Sequence, residues 1–164
     1  MVLRFIWEKR VAIRRIIFIL LSPILILCYN NGMNLEELQT LITDYFSQQE
    51  DIDTVLLFGS FAKGSYNEHS DIDIAIHSNR TLDYERLSKI QTELALLTHR
   101  EIDLADLSCA DGLFLYQIMT TGLKIKISKP VFVAYLSKAL GFKEDFLPVI
   151  EYSRKEKIRR YVNG

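Results

Sequence analysis

The sequence predicts an α/β (α+β) fold, and two observations carry that expectation. Short apolar runs of strand length, among them Val55-Leu56-Leu57-Phe58 and the run from Ile72 to Ile76, are bounded by polar or turn-forming residues. Between them lie longer stretches whose apolar residues recur every three or four positions, the period of a half-buried helix. The 164 residues suit one domain, and the composition is that of a globular protein, 49% hydrophobic and 25% charged. No repeat or low-complexity segment interrupts the chain.

The elements follow in order. Asn34 with Glu37 three residues on resembles a capping box, and Leu35, Leu38, Leu41, Ile42, Tyr45 and Phe46 then form one apolar helical face. A strand over 54–58 runs into Gly59-Ser60, followed by a short helix and the strand holding Asp71-Ile72-Asp73. Residues 82–97 read as a helix through Leu87, Ile90, Leu94 and Leu97. The stretch 101–107 alternates with the period of a strand, placing Ile102 and Leu104 on one face and Glu101, Asp103 and Ala105 on the other. Asp111 opens a helix reaching Thr121, with Gly122 as its stop. A final strand spans 123–127. Two helices are expected after it, one from Pro130 to about 140 and one over 144–162.

Residues 1–32 stand apart as an apolar extension to a domain of 33–164. They carry net charge +4, leaving −5 on the remainder. Residues 16–29 are almost continuously apolar, broken by Ser22-Pro23. That run is shorter than the ~20 residues a spanning helix needs, and no small-residue cleavage site follows it. The preferred expectation is a start-site artefact, with translation opening at Met33; a weak membrane anchor and an extra packed helix are the other readings.

The charge balance excludes a nonspecific nucleic-acid binder, which would present a basic surface. Arg154, Lys155, Lys157, Arg159 and Arg160 form a basic cluster near the C-terminus, read as a solvated helix face. Phe146, Val149, Ile150, Ile158 and Tyr161 beside them would pack inward or onto a partner. Cys28 and Cys109 have neither metal-site nor disulfide spacing, which suits a reducing compartment. His69, His77 and His99 are scattered, and only His69 lies near the motif below.

The chemistry sits at Gly59-Ser60 and, ten residues on, Asp71-Ile72-Asp73. A Gly-Ser turn lets phosphate oxygens approach backbone N–H groups closely and adds a hydroxyl. Carboxylates at i and i+2 of a strand point to one face, roughly 6.5–7 Å apart. That suits a pair of divalent ions about 3.5–4 Å apart. Each piece has a plainer reading: Gly59-Ser60 as a turn, Asp71 as a strand flank. Asp73 resists that, because it lies between Ile72 and Ile74 and an isolated buried carboxylate costs several kcal/mol. Asp71, Asp73 and Ala75 share a face that is expected to open to a cleft or to solvent, with Ile72, Ile74 and Ile76 as core. Lys63 is read equally as a point charge on phosphate or a solvated turn residue.

Phe58-Gly59-Ser60-Phe61-Ala62-Lys63-Gly64-Ser65, followed by Ser70-Asp71-Ile72-Asp73-Ile74-Ala75-Ile76, resembles the signature of the polymerase-β-like nucleotidyltransferases, and within them the minimal nucleotidyltransferase (MNT) group. The resemblance covers roughly residues 34–127. It implies a small mixed sheet flanked by helices with C-terminal helices beyond. It also implies a third carboxylate on a later strand, best matched by Asp103, with Glu101 and Asp106 as competitors. Lys63 departs from the arginine common there and lacks its planar fork.

The resemblance implies nucleotidyl transfer from a nucleoside triphosphate. Asp71, Asp73 and Asp103 would be the catalytic residues and would hold two Mg²⁺ ions; Gly59, Ser60 and Lys63 would bind the nucleotide. Small chains of this design are similar to the MNT antitoxins of HEPN/MNT pairs. That implies transfer of AMP from ATP to a tyrosine of a HEPN ribonuclease toxin in the cytoplasm, with no direct nucleic-acid or membrane partner. A transferase acting on a small-molecule hydroxyl and a non-catalytic binding antitoxin are the alternatives. No Arg-x₄₋₆-His ribonuclease motif occurs, so the chain is not read as the toxin.

Overall fold

The first strand, β1 (Ile52–Phe58), is the centre of the fold because its run of apolar residues can be buried on both faces. Ile52 and residues 54–58 are all buried. The computed structural model describes residues 33–163; the expectations for 1–32 lie outside them. The residues from Leu35 onward form one unit. Its elements are α1 (Leu35–Ser47), β1, α2 (Gly59–Lys63), β2 (Ile72–Ser78), α3 (Tyr84–Thr98), β3 (Ile102–Asp106), α4 (Gly112–Thr121), β4 (Leu123–Lys126) and α5 (Lys129–Asn163). Among the described residues no helix is long and apolar enough to cross a membrane.

The four strands form one sheet in the order β3-β2-β1-β4. β1 runs antiparallel to β2 and β4, while β2 and β3 are parallel. The parallel pair needs a crossover, which α3 supplies. The mixed sheet flanked by helices is thus the fold class anticipated from the sequence.

Helices cover both faces. α1 lies against β4 and α3 against β3. Leu38, Ile42 and Phe46 of α1 and Ile90 and Leu94 of α3 are fully buried, as are Ile72, Ile74 and Ile76 of β2. Tyr45 Oη of α1 donates to Glu93 of α3 at 2.6 Å. Lys126 of β4 donates to the carbonyls of Phe46 and Gln49, at 3.1 and 3.0 Å, and so caps the end of α1. The other face packs Leu56, Phe58 and Ala75 against Leu115, Ile118 and Met119 of α4 and Ala139 of α5.

Two expectations are corrected. The face shared by Asp73 and Ala75 is not open along its length: Ala75 is fully buried in the cluster under α4 and α5, and only the Asp73 end is uncovered. The reason is tertiary, since a sheet this small can be roofed on one half of a face and left bare on the other. The C-terminal region is one helix of 35 residues rather than two, continuing through Gly141 and Pro148. A proline forfeits one intrahelical bond and crowds the preceding turn, yet the flanking turns carry the helix past it.

Candidate active site

The site forms at one end of the sheet, where β1 finishes and β2 and β3 begin. Across the antiparallel pair Phe58 faces Asp73, and across the parallel pair Asp73 faces Asp103. Directly paired residues on neighbouring strands project to one face. Asp103, the residue that the family resemblance pointed to, therefore stands beside Asp73. Asp71 lies just before β2, exposed, and Asp103 is also exposed; Asp73 is half-buried between them.

Of the competitors, Asp106 has its carboxylate engaged, and Glu101 is tied into the sheet through its backbone. Asp106 accepts from the Ser108 N–H at 2.8 Å and from the Ser108 hydroxyl at 2.7 Å, closing the turn after β3. The Glu101 carbonyl accepts from Ile72 N–H at 2.9 Å, a ladder bond that fixes the start of β2.

Gly59 has a local reason to be glycine. Its φ is +68°, and a Cβ there would collide with the Asp73 carboxylate. The backbone of the Gly-Ser turn thus lies against the carboxylate itself. Ser60 N–H donates to Asp73. The Ser60 hydroxyl oxygen is buried and has no hydrogen-bond partner. An unsatisfied buried hydroxyl is unusual and costs stability, so its presence beside three carboxylates marks a place prepared for a polar ligand.

Electrostatics agree. Burial raises the affinity of Asp73 for its proton above the ordinary carboxylate range, and the negative charges of Asp71 and Asp103 raise it further. The Ser60 N–H and the Lys63 ammonium act the other way. Lys63, exposed at the end of α2, is thereby close enough to be felt at Asp73. Like charges so placed repel, and among the described residues no three His, Cys, Asp or Glu side chains close to metal-binding distance. Asp73 and Asp103 in register, Asp71 just before β2 and an unpaired hydroxyl beside them supply oxygen donors that a divalent cation carrying phosphate oxygens would have to draw together.

Arg100, which the sequence reading passed over, belongs to this neighbourhood. It donates from Nη1 to the carbonyls of Asn67, Glu68 and Ser70 at 2.9, 3.0 and 2.9 Å, and so holds the loop leading into Asp71. Its nearness in sequence to Asp103 was the one available signal. His69 is exposed in that loop, and its N–H is taken by Asn67 Oδ1 at 2.8 Å. Phe114, half exposed on α4, meets Phe58 edge-on at 5.8 Å and ends the apolar roof beside the carboxylates.

A β-turn-β unit bearing Gly-Ser and Asp-x-Asp, with a third aspartate on the adjoining parallel strand, defines a nucleotidyltransferase-type site. Residues 40–130, more than half of the chain, match the family model described as polymerase beta, nucleotidyltransferase. The chain belongs to that family. Among curated proteins it is 34% identical over 71 residues to protein adenylyltransferase MntA of Shewanella oneidensis. That match takes in 43% of this chain and 51% of MntA, so it spans about half the length of the relative. A chain in the crystal structure of a toxin-antitoxin with AMP-PNP superposes with TM-score 0.61 at 22% identity, over 76% of this chain and 98% of that one. The complex of tri-AMPylated Shewanella oneidensis HEPN toxin with MNT antitoxin gives TM-score 0.58 at 20% identity, over 78% and 98%. At such identities the likeness is one of fold.

Proposed function

We propose that this chain is a metal-dependent nucleotidyltransferase that moves AMP from ATP to a tyrosine hydroxyl of a cognate HEPN ribonuclease toxin, acting as its antitoxin wherever cytoplasmic ATP is available. One observation carries the reading: Asp73 paired in register with Asp103, beside a buried Ser60 hydroxyl without a partner. Family membership and the MntA relative support it.

In this reading Asp71, Asp73 and Asp103 would hold Mg²⁺, which when bound offsets the charge of the triphosphate and lowers the pKa of an attacking hydroxyl. The chain's own groups position the reactants. The Ser60 hydroxyl donates to a phosphate oxygen, which satisfies it. Gly59 lets the phosphates approach the backbone, since no side chain intervenes. Lys63 presents a positive charge to the same anion. Asp103, exposed at the edge of the site, is placed to take the acceptor's proton as the oxygen attacks the α-phosphorus and pyrophosphate leaves.

The test uses ATP labelled at the α-phosphate, Mg²⁺ and a HEPN protein offered as the cognate toxin. Label is expected on a toxin tyrosine. The double substitution Asp71→Asn with Asp73→Asn is expected to abolish it while the circular dichroism spectrum stays unchanged. Undiminished labelling by the double variant overturns the assignment.

A further inference from the structure

The loop between α2 and β2 carries bonds of its own. Ser65 N–H donates to the Ser60 carbonyl at 3.0 Å, Asn67 N–H to Ser70 Oγ at 2.9 Å and Ser70 N–H to the Asn67 carbonyl at 3.2 Å. These shape the turn without tying it to the rest of the sheet. The tie is Arg100. Three carbonyls of the loop converge on one guanidinium nitrogen, and charge-assisted bonds of this kind are about twice as strong as neutral ones.

The last of these bonds is decisive. The Ser70 carbonyl belongs to the peptide unit that enters Asp71, so Arg100 fixes the plane immediately before that residue. On the other side, Ile72 N–H is held by the carbonyl of Glu101, the residue after Arg100. Asp71 is thus pinned from both flanks by two adjacent residues at the entrance to β3, the strand bearing Asp103. The guanidinium also lies over the Phe61 ring, 5.4 Å from its centroid. Phe61 is fully buried, follows Ser60 and stacks on Tyr66 of the loop at 4.3 Å. One side chain, rooted just before the Asp103 strand, therefore touches both the loop before Asp71 and the helix that contains Ser60.

We propose that Arg100 is a positioning residue that holds Asp71 in register with Asp73 and Asp103 and so sets the affinity of the carboxylate group for a divalent cation. The inference rests on the function proposed above. Arg100 acts through the backbone: the cation felt at the Asp73 carboxylate is Lys63.

The experiment measures Mn²⁺ binding to the full chain by electron paramagnetic resonance, without nucleotide, alongside thermal unfolding. Arg100→Met is expected to weaken Mn²⁺ about 10- to 100-fold, the range seen when groups supporting metal ligands are removed. Arg100→Lys is expected to recover most of that affinity, because an ammonium has three donors for the three carbonyls. Asp83→Ala serves as control: it removes the 2.7 Å bond that the Asp83 carboxylate accepts from Arg86 N–H at the start of α3, away from the loop and from all three carboxylates. It is expected to lower the melting temperature without changing Mn²⁺ affinity. Wild-type affinity in Arg100→Met, or an equal loss in Asp83→Ala, overturns the positioning role. Asp73→Asn separates the two levels: if it binds Mn²⁺ as well as wild type does, the carboxylate site itself is wrong and the role of Arg100 falls with it.

Discussion

Asp73 and Ser60 both hold the protein back from its most stable form. The folded state keeps a proton on Asp73 more tightly than the unfolded chain does, through burial and the charges of Asp71 and Asp103. Its stabilising contribution is therefore present below the ordinary carboxylate pKa of about 3.9 and is lost as pH rises through the raised value. Asp73→Asn, neutral throughout, is expected to melt at a higher temperature than wild type at pH 7 and to lose that advantage below about pH 4. A melting series across pH checks the sign. Ser60→Ala removes an unsatisfied hydroxyl, so the ligand-free protein is expected to gain stability while its use of ATP weakens by about 1–3 kcal/mol. Calorimetric titration with ATP and a thermal scan measure the two together, and equal ATP affinity would leave the Gly-Ser turn a structural feature only.

At the level of elements, the helix that bridges the parallel strands is α3, and its start is well defined. Asp83, in extended conformation, accepts from the Arg86 N–H at 2.7 Å. Arg86 in turn reaches Gln49 Oε1 at 2.5 Å and Asp51 at 3.3 Å, linking the start of α3 to the segment entering β1. Loss of this cap by Asp83→Ala is expected to cost about 0.5–2 kcal/mol. Urea unfolding should show the midpoint falling with an unchanged slope. Transfer activity below the new transition is expected to persist, because α3 supplies no group to the site.

Over the whole molecule, α5 is the feature that the catalytic fold does not use. Beyond the turns that pack on the sheet, Phe146, Val149, Ile150, Tyr152, Ile158 and Tyr161 are all roughly half exposed or more. The basic residues Arg154, Lys155, Lys157, Arg159 and Arg160 are exposed among them. Of the two roles foreseen for these apolar side chains, packing inward is therefore not the one observed. Contiguous exposed apolar patches are where proteins commonly meet partners. If the toxin docks there, Phe146→Glu with Ile150→Glu should weaken the complex at least tenfold in a titration. The melting temperature should stay within a few degrees, since neither side chain is buried. Unchanged affinity would place the toxin elsewhere.

What the sequence determined by itself was local. The apolar run of β1 and the Gly-Ser and Asp-x-Asp spacing are short-range patterns, and the alternation around Asp103 is another. Alternation placed Asp103 and Glu101 on one face, the family resemblance singled out Asp103, and its pairing with Asp73 came only with the sheet. The tertiary structure decided what depends on distant neighbours. Ala75 is buried because α4 and α5 roof that half of the sheet, which no alternation within β2 can reveal. α5 is continuous because stacked turns on both sides of Gly141 and Pro148 outweigh two residues that locally favour a break. The part played by Arg100 is not legible in the sequence because its partners are carbonyls, which every residue possesses and no sequence marks. Its role follows from three peptide units turned toward one nitrogen, an arrangement that exists only once the loop is folded against β3.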